Sequence, residues 1–179
     1  MPDRGYLLAK DILDIPIKMV HGKPEQTNSH IFQFLLFYRI KMHLHITLIE
    51  NDSDMTVALN IRVKVFVEEQ KVSKDIELDE FEDDCSHILA RFDGIPVGTA
   101  RWRRTEKGIK LERFAVLEEY RGNGIGEALV ESVLSYVLPE PTVYLHAQKE
   151  VIGFYEKLGF SSKGDTFIEA DIVHQKMVL

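Results

Sequence analysis

From residue 43 onward the apolar positions of the chain follow regular periods, in some segments of two residues and in others of three to four. His45 to Glu50, where Ile46 and Leu48 alternate with polar neighbours, predicts a short strand. Ser53 reads as an N-cap and Asp54 suits a first helical turn. Val57, Ala58, Ile61, Val65 and Phe66 then keep a helical spacing through about Glu69. An acidic connection, Asp75 to Asp84, follows. Strands are predicted over Ser86 to Phe92, Val97 to Arg104 and Ile109 to Leu117, joined at Asp93-Gly94 and around Glu106 to Gly108 as an antiparallel meander. A helix from Gly124 to about Leu138 is stopped by Pro139 and Pro141. Val143 to Ala147 reads as a buried strand, Lys149 to Leu158 as a short helix closed by Gly159, and Val173 to Leu179 as the last strand. The expected fold is mixed α/β (α+β), a central and mostly antiparallel sheet flanked by helices.

Residues 1–41 show no such period before the cluster Phe32, Phe34, Leu35, Leu36, Phe37 and Tyr38. They read as an N-terminal extension to a domain at 42–179. Met42 can itself be a start, which would make the extension an addition to the reading frame; alternatively its aromatic cluster packs on the body or on a partner.

A chain of 179 residues suits one domain with one core and one functional centre. The net charge is −7, and because the extension holds six basic and four acidic residues, the remainder carries −9. Such a surface repels phosphate backbones and anionic lipid and attracts a cationic amine, so neither nucleic acid nor membrane is an expected partner. The lone Cys85 has no second thiol for a disulfide or a zinc site, and no metal is expected. Ile31 to Tyr38 falls short of a membrane span, and no secretory pattern opens the chain, so the cytoplasm is the expected location.

The segment Arg121-Gly122-Asn123-Gly124-Ile125-Gly126 lies between a predicted strand and a predicted helix. Unpaired N–H groups and the positive helix end converge there, and glycines let a phosphate approach the main chain. An ordinary glycine-rich turn without ligand is the alternative. A Walker loop is excluded because no lysine follows. The dinucleotide fingerprint fails too, since its last place is Glu127 or Leu129, depending on the starting glycine.

The loop resembles the acetyl-CoA signature Arg/Gln-x-x-Gly-x-Gly/Ala of the GNAT superfamily, through Arg121, Gly124 and Gly126. Ala147-Gln148 followed by Phe154-Tyr155-Glu156-Lys157-Leu158-Gly159-Phe160 resembles that family's later strand and helix. Arg62-x-x-Val65-Phe66-Val67-x-Glu69-Gln70, Glu77-x-Asp79-Glu80, Arg101-Trp102-Arg103 and His174 are similar to a subgroup of small bacterial GNAT proteins. The resemblance covers residues 43 to 179 and departs at His146, where relatives often carry Asn.

The resemblance implies a GNAT-type fold whose fourth and fifth strands splay around coenzyme A. It implies direct transfer of acetyl from acetyl-CoA to a small-molecule or protein primary amine. Phe114, Ala115 and Val116 would pair with the pantetheine arm and polarise the thioester. Arg121, Gly122, Asn123, Gly124, Ile125 and Gly126 would hold the pyrophosphate. Tyr155 would lie beside the cofactor and protonate the departing thiolate, or serve only as an aromatic core residue. Glu112, and after it His146, are the base candidates. Glu112 can equally be a cross-strand partner of Arg101 or Arg103, and His146 a hydrogen-bonded structural residue. Homodimers occur in the family. Two rival readings remain: an acyl-homoserine-lactone-synthase-like acyltransferase, on Arg62-x-x-Val65-Phe66 and Glu77-x-Asp79, and a non-catalytic acetyl-CoA sensor.

Overall fold

In the computed structural model the alternating segments form strands of one sheet: β1 (Leu44–Leu48), β2 (Ser86–Phe92), β3 (Ile95–Thr105), β4 (Gly108–Val116), β5 (Val143–Gln148), β6 (Ser161–Ser162), β7 (Phe167–Glu169) and β8 (Ile172–Val178). Residues 43–179 are described, together with an antiparallel pairing of Met19–Val20 with Lys23–Pro24. The aromatic cluster at 32–38 and Met42 lie outside the described residues. The chain divides into two units, Met1–His43 and Leu44–Leu179, and the second carries the sheet. Its strand order is β1-β2-β3-β4-β5-β8-β6, with β7 paired to β8. Every neighbouring pair is antiparallel except β4 with β5. The β2–β3 turn is the expected one: Asp93 and Gly94 both have positive φ, 51° and 79°, as a two-residue hairpin loop requires.

Two helices sandwich the sheet. Helix α1 (Asp52–Arg62) lays Ala58 and Ile61, with Val65 beyond its end, against Leu89 and Ala115 on one face. Its cap is Asn51, whose Oδ1 accepts from the Asp54 N–H at 2.8 Å, and not Ser53. The segment Asn51-Asp52-Ser53-Asp54 offers several cap-competent side chains in a row, so sequence alone does not single out one. The helix then widens into a π-helical stretch, Val63–Glu69, closed by the Gln70 N–H on the Val65 carbonyl at 3.2 Å. A four-residue helix, α2 (Lys74–Glu77), follows. On the opposite face α3 (Ile125–Val137) buries Ile125, Leu129, Val130 and Val133 against Ile88, Val97, Leu111 and Leu145. No described helix is long and apolar enough to cross a membrane.

Strand β4 is kinked by a bulge. Its register against β3 slips between Thr99 and Arg101, and Arg113 takes a left-handed backbone, φ 55°. The extra residue resets the alternation. Ile109 and Leu111 face α3 before the bulge, Phe114 and Val116 face it afterwards, and Ala115 turns to α1.

Candidate active site

The parallel pairing of β4 with β5 runs only through Ile109↔Val143, Lys110↔Tyr144 and Leu111↔Leu145. Beyond Leu111 the two strands have no register in common, so the stretch of β4 holding Phe114, Ala115 and Val116 presents its backbone edge to an opening gap. The fourth and fifth strands therefore splay as expected, at the bulge.

The glycine loop stands at the end of this gap. Gly122 and Gly124 have φ of 75° and 76°, and a Cβ added at either would meet nothing within 4 Å. Gly124 caps α3 with no side-chain hydrogen bond, which leaves the first N–H groups of the helix, from Ile125 and Gly126 onward, for an anion. Asn123 stiffens the loop by donating from Nδ2 to the carbonyls of Tyr120 and Arg121, at 3.1 and 3.2 Å. Arg121 is not aimed into open space. Its Nε donates to the Val116 carbonyl at 2.9 Å, and its two terminal nitrogens grip Glu69 at 2.6 Å each. The hydrogen bond and charge of Arg121 hold the Glu69 carboxyl below its ordinary range.

Tyr155 lies on α4 (Ile152–Lys157), which follows a 3-10 turn at Lys149–Val151 where sequence predicts one continuous helix. The Phe160 N–H returns to the Tyr155 carbonyl and the Gly159 N–H to the Glu156 carbonyl, both at 3.1 Å, a Schellman motif with Gly159 at φ 92°. That cap fixes Tyr155 against Phe114, Phe154 and Phe160, with ring centroids at 6.3, 5.0 and 5.9 Å. Burial pushes the phenol well above its usual pKa, so it stays protonated. Phe114 thus joins the splayed strand to the tyrosine.

Glu112 sits on the other face of β4, 8% exposed, among cations. Lys110 Nζ lies 2.7 Å from Oε1, and Arg101 and Arg103 approach Oε2 at 3.1 and 3.3 Å. Burial alone would raise its pKa, but Lys110, Arg101 and Arg103 outweigh it and the carboxyl falls below its ordinary value. A carboxylate so held is a poor proton acceptor, and its geometry is that of the cross-strand partner. It belongs to a wider network. Arg101 makes a two-pronged pair with Asp79 at 2.9 and 2.6 Å, and Arg62 reaches Glu77 at 2.5 Å and Glu82 at 2.6 Å. Desolvation opposes the Asp79 charge, yet Arg101 prevails and draws its pKa down to about 2.

His146, on β5, shares the Glu112 face, since Lys110↔Tyr144 sets the parallel register and both strands alternate from there. Its Nδ1 lies 2.9 Å from Oε2 of Glu169, and Phe167 stands edge-on at 4.8 Å. The hydrogen bond from His146 leads in lowering the Glu169 pKa to about 2. Glu169 was invisible to sequence reasoning, because it lies 23 residues from its partner on a three-residue strand too short to show a period. Glu69 and Gln70 stood in a noted motif without a role; Gln70 accepts at 2.9 Å from Gln148, at the end of β5.

A family profile described as an acetyltransferase (GNAT) domain matches residues 52–179. The chain belongs to the GNAT acetyltransferase family. It is 41% identical over 140 residues to YyaT of Bacillus subtilis, a span covering 75% of this chain and 94% of that one. An acyl-CoA N-acyltransferase from Pseudomonas aeruginosa superposes with TM-score 0.68 at 28% identity, over 75% of this chain and 98% of the other. BjaI, a CoA-dependent acyl-homoserine lactone synthase, shares the fold alone, at TM-score 0.62 and 16% identity over 75% and 82% of the two chains. This GNAT protein is thus an acyltransferase, on a fold that generally uses acetyl-CoA or another acyl-CoA.

Proposed function

We propose that the domain at 42–179 transfers the acetyl group of acetyl-CoA directly to a primary amine. The observation that carries this reading is the parting of β4 from β5 after Leu111 and Leu145, beside a glycine-capped helix N-terminus. The N–H groups from Gly122 to Gly126 take the pyrophosphate, and the open edge of Phe114, Ala115 and Val116 takes the pantetheine arm as an added strand. Glu69 neutralises Arg121, which leaves the backbone as the main anion donor and gives the guanidinium the task of fixing the loop.

The N–H groups beside the bulge supply the oxyanion contact, worth on the order of 3 kcal/mol when preorganised. His146, free of the cations that hold Glu112, accepts a proton from the ammonium form of the acceptor. The neutral amine then forms the C–N bond as the C–S bond breaks. Tyr155 gives its proton to the departing sulfur and is recharged by the second proton that the nitrogen loses. The body's charge of −9, taken with the −7 of the whole chain, favours a cationic acceptor.

The test is release of free coenzyme A from acetyl-CoA against polyamines, amino sugars, amino acids and peptide amines, with product masses. Steady turnover with one class supports the reading. A melting shift with acetyl-CoA but no turnover on any amine would make the protein a sensor, and acylation only from an acyl-carrier-protein donor would move it to the lactone-synthase type.

A further inference from the structure

The hairpin β7–β8 closes on a two-residue turn, Ala170-Asp171, in which both residues have positive φ, 52° and 60°. Such a turn normally recruits Asn-Gly, and a non-glycine left-handed residue costs about 1–2 kcal/mol. The turn places Phe167 and Glu169 where a flat sheet would not. Strand β7 pairs only with β8, yet both side chains reach His146 on β5, so the hairpin folds over that face of the sheet.

Around His146 the packing is complete on three sides. Phe167 meets its ring edge, Tyr144 stands 6.0 Å away on the same strand, and Glu169 Oε2 takes Nδ1 at 2.9 Å. Among the described residues no bond is recorded at Nε2. The other charged groups on this face are Lys110 and Glu112 of β4, His174 and Lys176 of β8 and, beyond Glu112, Arg101 and Arg103 of β3, which pair with that carboxylate. Lys110 is engaged by Glu112, Lys176 lies over the Tyr144 ring at 4.5 Å, and His174 Nδ1 is turned to the Ile172 carbonyl at 2.8 Å. None of them competes for His146 in a recorded contact.

We infer that Glu169 is a positioning residue: it accepts the Nδ1–H of His146, holds the ring in that tautomer, and so leaves the Nε2 lone pair to take the acceptor's proton. The inference rests on the proposed transferase reading and on His146 as its base. An isolated neutral imidazole has no such constraint and can carry its proton on Nε2, where it is useless as a base. The dyad requires no co-reactant, since one proton passes from ammonium to Nε2 and on to solvent.

Two measurements on the full chain separate this inference from the reading beneath it. In histidine-15N-labelled protein, with the His146 resonances assigned through His146→Gln, the parent ring is expected as the Nδ1–H tautomer. In Glu169→Ala it should shift toward Nε2–H. A parent ring carrying its proton on Nε2, or a tautomer unchanged in Glu169→Ala, overturns the inference whatever the enzyme does.

The kinetic arm uses acetyl-CoA and the amine with the fastest turnover in the acceptor screen. Glu169→Ala should lose roughly tenfold in kcat with little change in KM for acetyl-CoA. Glu169→Gln, whose amide oxygen still accepts from Nδ1–H, should recover part of kcat together with the parent tautomer. A parent-like kcat in Glu169→Ala alongside a large loss in His146→Gln refutes the positioning role and spares the base. A parent-like kcat in His146→Gln refutes the base itself.

Discussion

Glu112→Gln tests whether the β4 carboxylate is a base or a structural counter-ion. The substitution keeps size and hydrogen-bonding capacity but removes the charge facing Lys110, Arg101 and Arg103 in a site only 8% exposed. Breaking a buried pair by removing one partner costs about 3–5 kcal/mol. The low end applies here, because Arg101 retains Asp79 and Glu82, and Arg103 and Lys110 have some access to water. A loss of about 3 kcal/mol lowers Tm by roughly 6–12 °C in a protein of this size. The folded pKa of Glu112 is depressed, so its stabilisation is fully present above the unfolded value of ~4.3 and is lost as pH falls through the folded value. Melting curves of parent and variant from pH 7 to pH 3 should therefore differ most at neutrality and converge in acid. At a temperature where both are folded, the pH profile of kcat/KM should keep its acidic limb. A parent-like Tm combined with a displaced acidic limb would refute the reasoning and restore Glu112 as the base.

Gly126→Val should remove the melting rise caused by acetyl-CoA, about 2.7 kcal/mol at 100 times Kd or roughly 5–11 °C, since a Cβ there has only Phe154 at 3.5 Å and the apo fold tolerates it. An undiminished rise would detach the pyrophosphate from this loop. Tyr155→Phe takes one hydroxyl from a site already packed by three phenylalanines, so the acetyl-CoA melting shift should persist while kcat falls on the order of 100-fold, read by single-turnover kinetics. Ala170→Asn should raise Tm by roughly 1–4 °C, because asparagine tolerates the left-handed backbone at φ 52° and relieves about 0.5–1 kcal/mol; a fall would mean that the turn is not strained.

The elements that sequence exposes are those whose cause is local. Period two and the Asp93-Gly94 turn mark the β2–β3 hairpin, Pro139 stops α3 near its observed end at Val137, and Gly159 terminates α4 through a motif built within six residues. The glycine loop was legible as a turn into α3 for the same reason: the positive φ of Gly122 and Gly124 and the helix start at Ile125 lie in consecutive residues. What escaped is settled across long separations. Sequence ranked Glu112 ahead of His146 as a base because the partners of both were unseen: one stands among cations, the other on Glu169. The β4 bulge leaves only a faint local trace, the consecutive polar pair Glu112-Arg113 between Leu111 and Phe114, and the slip itself shows only against β3. Arg121 matched its motif, but the partner of its side chain lies 52 residues earlier on a π-helical stretch that no period announces.

The buried charge network has a mechanical consequence for the gap. Arg113 occupies the left-handed backbone that turns β4 outward, a conformation that persists only where surrounding contacts over-determine it. Its guanidinium supplies those contacts, with Nε 2.7 Å from Glu77 Oε2 and a terminal nitrogen 2.8 Å from the Ile76 carbonyl and 3.2 Å from Asp79. Glu77 and Asp79 are held in turn by Arg62 on α1 and Arg101 on β3, so the acidic connection locks the bulge to two rigid elements. Just before that connection the π-helical stretch ends at Glu69 and is capped by Gln70, and these neighbouring side chains reach Arg121 beyond β4 and Gln148 at the end of β5. One turn of chain thereby ties together the two lips that the bulge has separated. The acidic motif between α1 and β2 therefore fixes the bulge at which β4 leaves β5, and its Glu77 and Asp79 are already engaged by Arg62, Arg101 and Arg113.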